Sequence, residues 1–238
     1  MDKDKVIKEI KSYIIIIVSV FAFRSSFFEP NHIPSGSLLP TNAIGDFILV
    51  NKFAYGFKIP YSEWFAKPYY VTGFQTPTRG DIVVFEYPLD RNTLYVKRLI
   101  GVPGDEIEVR DNVVYLNGKE VERELVKEPK EYADLFDQTK YNRENLKFYK
   151  NKIGEKTFVT AENVALFQHN NTPGKIKVPP GSYFVLGDNR DYSADSRIWG
   201  FVPEDHIRGR AMIVWFNMVY PWSEEEFHFR PGRIGTLL

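Results

Sequence analysis

Hydrophobic positions follow two rhythms along this chain. Near the N-terminus they are continuous: every residue from Tyr13 to Phe23 except Ser19 is apolar, and the run resumes past Arg24 to Phe28. These 16 residues fall slightly short of the ~20 that cross a bilayer, and an arginine near one end reaches the headgroups along its own stem. Lys3, Lys5, Lys8 and Lys11 precede the run, and only Arg24 follows it before Lys52. The positive-inside bias therefore predicts one membrane-spanning helix over 13–28, with residues 1–12 cytoplasmic and residues 29–238 outside. "FAFRSSFF" supplies no clear small-residue site for removal of a leader. A buried core helix is the competing reading, against which the four consecutive isoleucines stand.

Downstream the rhythm changes to short apolar runs bounded by turn residues. "DFILVNKFAYGF" (46–57), "GDIVVFEYP" (80–88) and "LYVKRLIGVPGD" (94–105) read as strands. "DEIEVRDNVVYLNGKEV" alternates with period two, and its Asn117-Gly118 pair marks a tight hairpin turn. "GSYFVLGDN" and "RAMIVWFNM" supply two late strands; "AMIVWFNMVYPW" (211–222) is too short to span a membrane and reads as a buried strand. The pattern predicts a mainly β, sandwich or barrel-like domain. Residues from about 119 to 178 are heavily charged and weakly periodic, which predicts an inserted subdomain. Tyr61, Trp64, Phe65, Tyr69, Tyr70 and Phe74 crowd one short stretch, with Tyr220 and Trp222 near the C-terminus. They are either core aromatics or a patch resting on the bilayer surface.

Composition narrows the chemistry. The 238 residues carry 31 basic and 31 acidic side chains, so nothing in the charge favours nucleic acid as partner. Without cysteine there is no disulfide, thiolate metal site or thiol nucleophile. His32, His169, His206 and His228 are scattered, and none forms a metal-spaced pair, so no metal or cofactor is predicted.

Three segments carry candidate chemistry. "PSGSLLPT" (34–41) places Ser35 and Ser37 around Gly36 between two prolines. A serine hydroxyl needs a base before it attacks. His32 is one candidate, although no carboxylate is singled out to orient it. Lys97 is the other: alternation in "LYVKRLIG" puts Tyr95, Lys97 and Leu99 on one face, and a lysine among apolar neighbours loses its proton more easily. "GDNRDYSADSRIWGF" (187–201) follows the apolar "YFVL" as a polar loop at a strand end, where a short hydroxyl can hold an amine.

Taken together, "PSGSLLPT", "IGDFILVNKFAYGFKIP", "RGDIVVFEYP", "YVKRLIGVPGD" and "GDNRDYSADSRIWGFVP" closely resemble, in that order, the bacterial type I signal peptidases. The resemblance implies a membrane-anchored Ser–Lys endopeptidase that removes signal peptides from exported pre-proteins. The enzyme so implied would work without a cofactor, as a monomer on the outer face of the cytoplasmic membrane. It implies an antiparallel, coiled β-sheet domain with an inserted β-rich subdomain. By motif position Ser37 is the nucleophile and Lys97 the general base. The resemblance further makes the Ser35 hydroxyl and the Ser37 N–H the oxyanion donors and has Ser193 orient the amine. Asp195 with Arg197, and Asp188 with Arg98, support the site. Ile33, Pro34, Leu38, Tyr95 and Val96 match positions of pockets for small residues at −1 and −3. Two departures stand out: Leu38 replaces the common Met, a nearly volume-conserving exchange, and Asn42 stands where many members are apolar. A tethered β-domain that binds exported chains without cutting them is the reading from another class. A self-cleaving Ser–Lys repressor would instead begin with a DNA-binding helix-turn-helix.

Overall fold

The computed structural model describes residues 3–59, 62, 68–136, 141, 143–166, 169–220 and 226–238. In chain order its elements are α1 (Lys3–Ser26), β1 (Phe28–His32), β2 (Asp46–Asn51), β3 (Ile82–Tyr87), β4 (Asp90–Gly101), β5 (Glu106–Arg110), β6 (Val113–Leu116), β7 (Lys119–Glu120), β8 (Glu122–Leu125), α2 (Lys130–Ala133), β9 (Leu146–Ile153), β10 (Lys156–Asn163), β11 (Ile176–Lys177), β12 (Ser182–Leu186), α3 (Ser196–Trp199), β13 (Val202–Pro203) and β14 (Ile207–Asn217). The architecture is mainly antiparallel β, as the short apolar runs predict.

Seven strands form the principal sheet in the order β1-β2-β14-β3-β4-β12-β13. Its centre is covered on both faces. Ile82 and Val84 of β3 pack with Ile48, Val50, Ala211 and Val214, whereas Val83 and Phe85 pack with Leu99, Tyr183, Val185 and Ile207. A strand buried on both faces has no polar alternate positions, which is why "IVVF" is continuous in the sequence. Between β4 and β12 the chain makes an excursion into two smaller sheets, β11-β5-β6-β7 and β10-β9-β8. Asn117 and Gly118 both take positive φ at the β6–β7 turn, as an Asn-Gly hairpin requires. The excursion is docked by Phe136, Phe148 and Ala161 against Leu39 and Ala43, beside the Ser35–Ser37 turn.

Two expectations need adjustment, and a third falls partly outside the described residues. The strand beginning at Asp46 stops at Asn51 rather than running to 57, because the Asn51 side chain accepts the Phe53 N–H and turns the chain. β14 is covered mainly on one face: Ala211, Val214 and Asn217 are buried, but Trp215 is 47% exposed. Within the aromatic stretch, Tyr61, Trp64 and Phe65 lie outside the described residues, as does Trp222. Tyr70 and Phe74 pack edge-on at 5.2 Å, while Tyr69 is exposed.

Helix α1 begins with Lys3, Asp4, Lys5, Lys8, Glu9 and Lys11. Its apolar side chains Ile7, Ile10, Tyr13 to Val18 and Val20 are each half or more exposed. Among the described residues no helix is long and apolar enough to cross a membrane.

Candidate active site

The turn that carries Ser37 is a single 3₁₀ turn, Gly36–Leu38, entered from an extended Ser35 and closed by the Leu39 N–H on the Gly36 carbonyl. Buried Leu38 and Leu39 fix its far side in the core. Asn189 holds the turn from beneath. Its Nδ2 donates to the Gly36 carbonyl at 3.0 Å, and its backbone N–H donates to the Ser37 carbonyl at 3.1 Å. In a trans peptide the N–H points opposite the C=O. Tying down the Gly36 carbonyl therefore aims the Ser37 N–H away from Asn189.

Lys97 reaches this turn from β4. Its Nζ lies 2.6 Å from Oγ of Ser37 and 5.4 Å from the centre of the Tyr95 ring. The side chain is buried, and among the described residues it forms no ion pair. Burial lowers its pKa to about 8, against the opposing pull of the Asp195 and Asp188 carboxylates, while the Arg197 cation lowers it further. A protonated Lys97 donates to Ser37 Oγ. A neutral one has a lone pair for the serine proton at the same distance.

Behind the pair, the loop after β12 is organised by two buried ion pairs. Asp195 caps α3 and receives Arg197 in a bidentate contact, Nε to Oδ1 at 2.8 Å and Nη2 to Oδ2 at 2.7 Å. The same carboxylate accepts the Gly187 N–H at 2.9 Å. Arg98 grips Asp188 likewise, at 2.8 and 2.7 Å, and also reaches the Gly80 carbonyl and Thr41 Oγ1. Ser193 is buried, and its hydroxyl has no hydrogen-bond partner among the described residues. It lies against Gly187, where a methyl would overlap the Ser193 side chain and come within 2.5 Å of the Ser37 carbonyl oxygen.

A groove of about 410 Å³ opens in front of Ser37 and Lys97. Ile33, Pro34, Leu38, Tyr95 and Val96 all line it, so the structure brings together every pocket position expected from the sequence. Ser35 lies on the rim, exposed. His32 also lines the groove, with its ring against Phe47 at 4.8 Å; burial lowers its pKa despite Asp46 nearby. On its flank away from β3, among the described residues, the first part of β4 has no strand partner. Residues of β4 from Leu94 to Lys97 pair with β3, but β12 pairs with β4 only from Arg98 onward.

A family model described as "Signal peptidase, peptidase S26" matches residues 6–216. The chain belongs to that family. Signal peptidase I of Buchnera aphidicola subsp. Acyrthosiphon pisum is 35% identical over 99% of this chain and 83% of its own. The enzyme of that name from Pseudomonas aeruginosa is 35% identical over 95% of this chain and 78% of its own. That of Rickettsia typhi is 36% identical over 92% of this chain and 83% of its own. A crystal structure of a signal peptidase I from Enterococcus faecalis V583 matches at 30% identity, covering 58% of this chain and 98% of that one, with a TM-score of 0.33. By the family model and the curated relatives, the chain is a signal peptidase, a hydrolase.

Sequence reasoning missed several residues that border the peptidase groove or hold it. Val84, Leu94 and Ala194 line it, and Tyr192 forms part of its wall. Tyr192 directly precedes Ser193 in the polar loop, a signal that was available. Thr41 joins the Arg98–Asp188 pair by donating to Asp188 Oδ2 at 2.5 Å.

Proposed function

We propose that the chain cleaves signal peptides from exported pre-proteins after small residues at −1 and −3, with Ser37 as nucleophile and Lys97 as general base. The observation that carries this is the 2.6 Å contact between Ser37 Oγ and a buried lysine that has no carboxylate partner among the described residues. In the reaction, neutral Lys97 takes the Ser37 proton as Oγ attacks the scissile carbonyl. The developing oxyanion falls to the Ser37 N–H and the Ser35 hydroxyl. Protonated Lys97 then gives its proton to the leaving amine, and the C–N bond breaks to leave an acyl-enzyme. Lys97, neutral again, activates a water that releases the signal peptide and restores the serine. Ser193 is assigned to orient the amine, for which its buried hydroxyl has spare capacity.

The substrate lies extended along the free flank of β4, with main-chain hydrogen bonds setting register. The apolar floor of Ile33, Leu38 and Val96 admits small side chains and excludes large ones by overlap. We assign residues 13–28 as the anchor in the cytoplasmic membrane: from Tyr13 to Val20 every side chain of α1 except Ser19 is apolar, so this part of the helix has no face for water. Residues 29–238 form the monomeric extracytoplasmic catalytic domain, with the subdomain at about 119–178 inserted in it. Incubating a purified pre-protein with the full chain in detergent tests the activity. Wild type is expected to release mature protein, and Ser37→Ala to release none above background. Cleavage by Ser37→Ala would remove Ser37 from the chemistry, and binding without cleavage by wild type would favour the tethered binding domain.

A further inference from the structure

Gly36 has no side chain for a reason that lies elsewhere in the chain. Its φ is not in the left-handed region, so conformational freedom does not explain it. A methyl on its Cα would fall into the ring of Tyr141, and would also meet Cδ1 of Leu39 at 2.8 Å. The leucine methyl is the far end of a flexible side chain and can move; the aromatic ring is the obstacle. Tyr141 belongs to the excursion between β4 and β12, and its ring is wedged. It packs on Tyr192 at 4.9 Å and meets Phe136 edge-on at 6.4 Å. Tyr192 is in turn held by Asn163 at the end of β10, whose Nδ2 donates to the Tyr192 hydroxyl at 2.5 Å and whose N–H donates to Asp191 Oδ2 at 2.7 Å. The Ser35–Gly36–Ser37 turn is therefore gripped twice. Asn189 draws its carbonyls one way, and an aromatic ring from the excursion lies on the Cα between the two serines.

We propose that Tyr141 is a positioning residue of the reaction, its ring closing the space over the Gly36 Cα while Asn189 holds the carbonyls, so that the Ser35 hydroxyl and the Ser37 N–H stay at oxyanion distance. This rests on the assignment of Ser37 as nucleophile. Oxyanion donors act only when about 2.7–3.1 Å from the developing charge, and a misplacement of about 1 Å costs on the order of 10²-fold in rate. A turn of three residues with a glycine at its centre does not hold that tolerance alone. The excursion thus serves catalysis through one ring contact, without touching the substrate.

The test uses the full chain in detergent and a purified pre-protein, with Ser37→Ala run as the blank, so that a failure of the nucleophile assignment shows separately. Tyr141→Ala is expected to lower kcat by about 10–30-fold with KM within about twofold, the signature of an interaction made in the transition state. Its pH midpoint should stay where the wild type's is, because Lys97 keeps its surroundings. Tyr141→Phe should retain kcat within about threefold, since the ring carbons make the contact. Gly36→Ala should cost more than about 10²-fold in wild type but under about tenfold in the Tyr141→Ala background, where the added methyl has room. Three results would overturn the proposal: kcat of Tyr141→Ala within twofold of wild type, an equal cost of Gly36→Ala in both backgrounds, or Tyr141→Phe as impaired as Tyr141→Ala.

Discussion

Lys97 and Arg98 are neighbours on β4, both cationic by type and both about 5% exposed, yet their surroundings differ completely. Arg98 has a bidentate carboxylate in Asp188, a carbonyl at Gly80, a hydroxyl at Thr41 and the face of Phe158 at 4.1 Å from its guanidinium carbon. Lys97 has one hydroxyl, Ser37 Oγ, and the Tyr95 ring. A guanidinium does not lose its proton in a protein, so burial favours giving it a carboxylate partner. An ammonium can shed its proton instead of being paired, and burial pushes Lys97 that way, to about 8. The strand thus places a fixed charge and a titratable one side by side. The direction each side chain takes decides which is which: one toward the loop carboxylate, the other toward the serine.

Exchanging the two chemistries at position 97 breaks the comparison most severely. Lys97→Arg keeps a cation at the nucleophile but removes the neutral form. Cleavage of a pre-protein is expected to fall by about 10³-fold or more, with the variant still folded by circular dichroism. Wild-type kcat/KM should climb about tenfold per pH unit below pH ~8 and level off above it, because only the deprotonated amine accepts the serine proton. Retained activity in Lys97→Arg, or a rate that peaks below neutrality, would remove Lys97 from the base role.

The paired side of the comparison is stressed next by Asp195→Ala. Arg197 is then left fully buried with its carboxylate gone, and α3 and the Gly187 N–H lose an acceptor. Removing one partner of a buried pair costs about 3–5 kcal/mol. For a chain of this size each kcal/mol lowers Tm by about 2–4 °C, so thermal melting should show a drop of about 6–20 °C. Replacing both partners with apolar residues should recover part of the loss. A melting temperature within 2 °C of wild type would mean that the pair does not hold the loop.

These contrasts were legible in the sequence to different depths. Period-two alternation in "LYVKRLIG" separates Lys97 from Arg98, and the structure sends them to different partners. The continuous run in β3 reads directly as a strand because both faces of the sheet are covered. The end of β2 was not legible, because it depends on the Asn51 side chain turning back on its own backbone. Asn189 stands in a loop of polar residues, and nothing local marks it as the one that reaches the carbonyls of Gly36 and Ser37. Tyr141 gave no signal at all. It sits in a charged, weakly periodic stretch, and its contact with Gly36 exists only once the excursion has folded back over Leu39 and Ala43. The glycine itself was visible, but it reads as conformational freedom until the ring that fills its side-chain space is located.

The smallest expected effect is the most direct measure of how far the two neighbours influence each other. The Asp188 carboxylate pairs with Arg98 and also raises the Lys97 pKa, more weakly than Asp195 does. Asp188→Asn keeps the shape and leaves Arg98 an acceptor oxygen, but removes the negative charge. With that support gone the ammonium form of Lys97 is less favoured, so its pKa falls and the rising limb of the pH–rate profile moves to lower pH. The displacement should be under about one unit, since a unit corresponds to 1.36 kcal/mol of differential interaction and Asp188 is not the dominant influence. Adding salt should change it little, because the groups involved are buried. A shift toward higher pH would mean that the charge acts on Lys97 with the opposite sign. An unmoved profile would mean that Arg98 neutralises Asp188 so completely that the two faces of β4 are electrostatically independent.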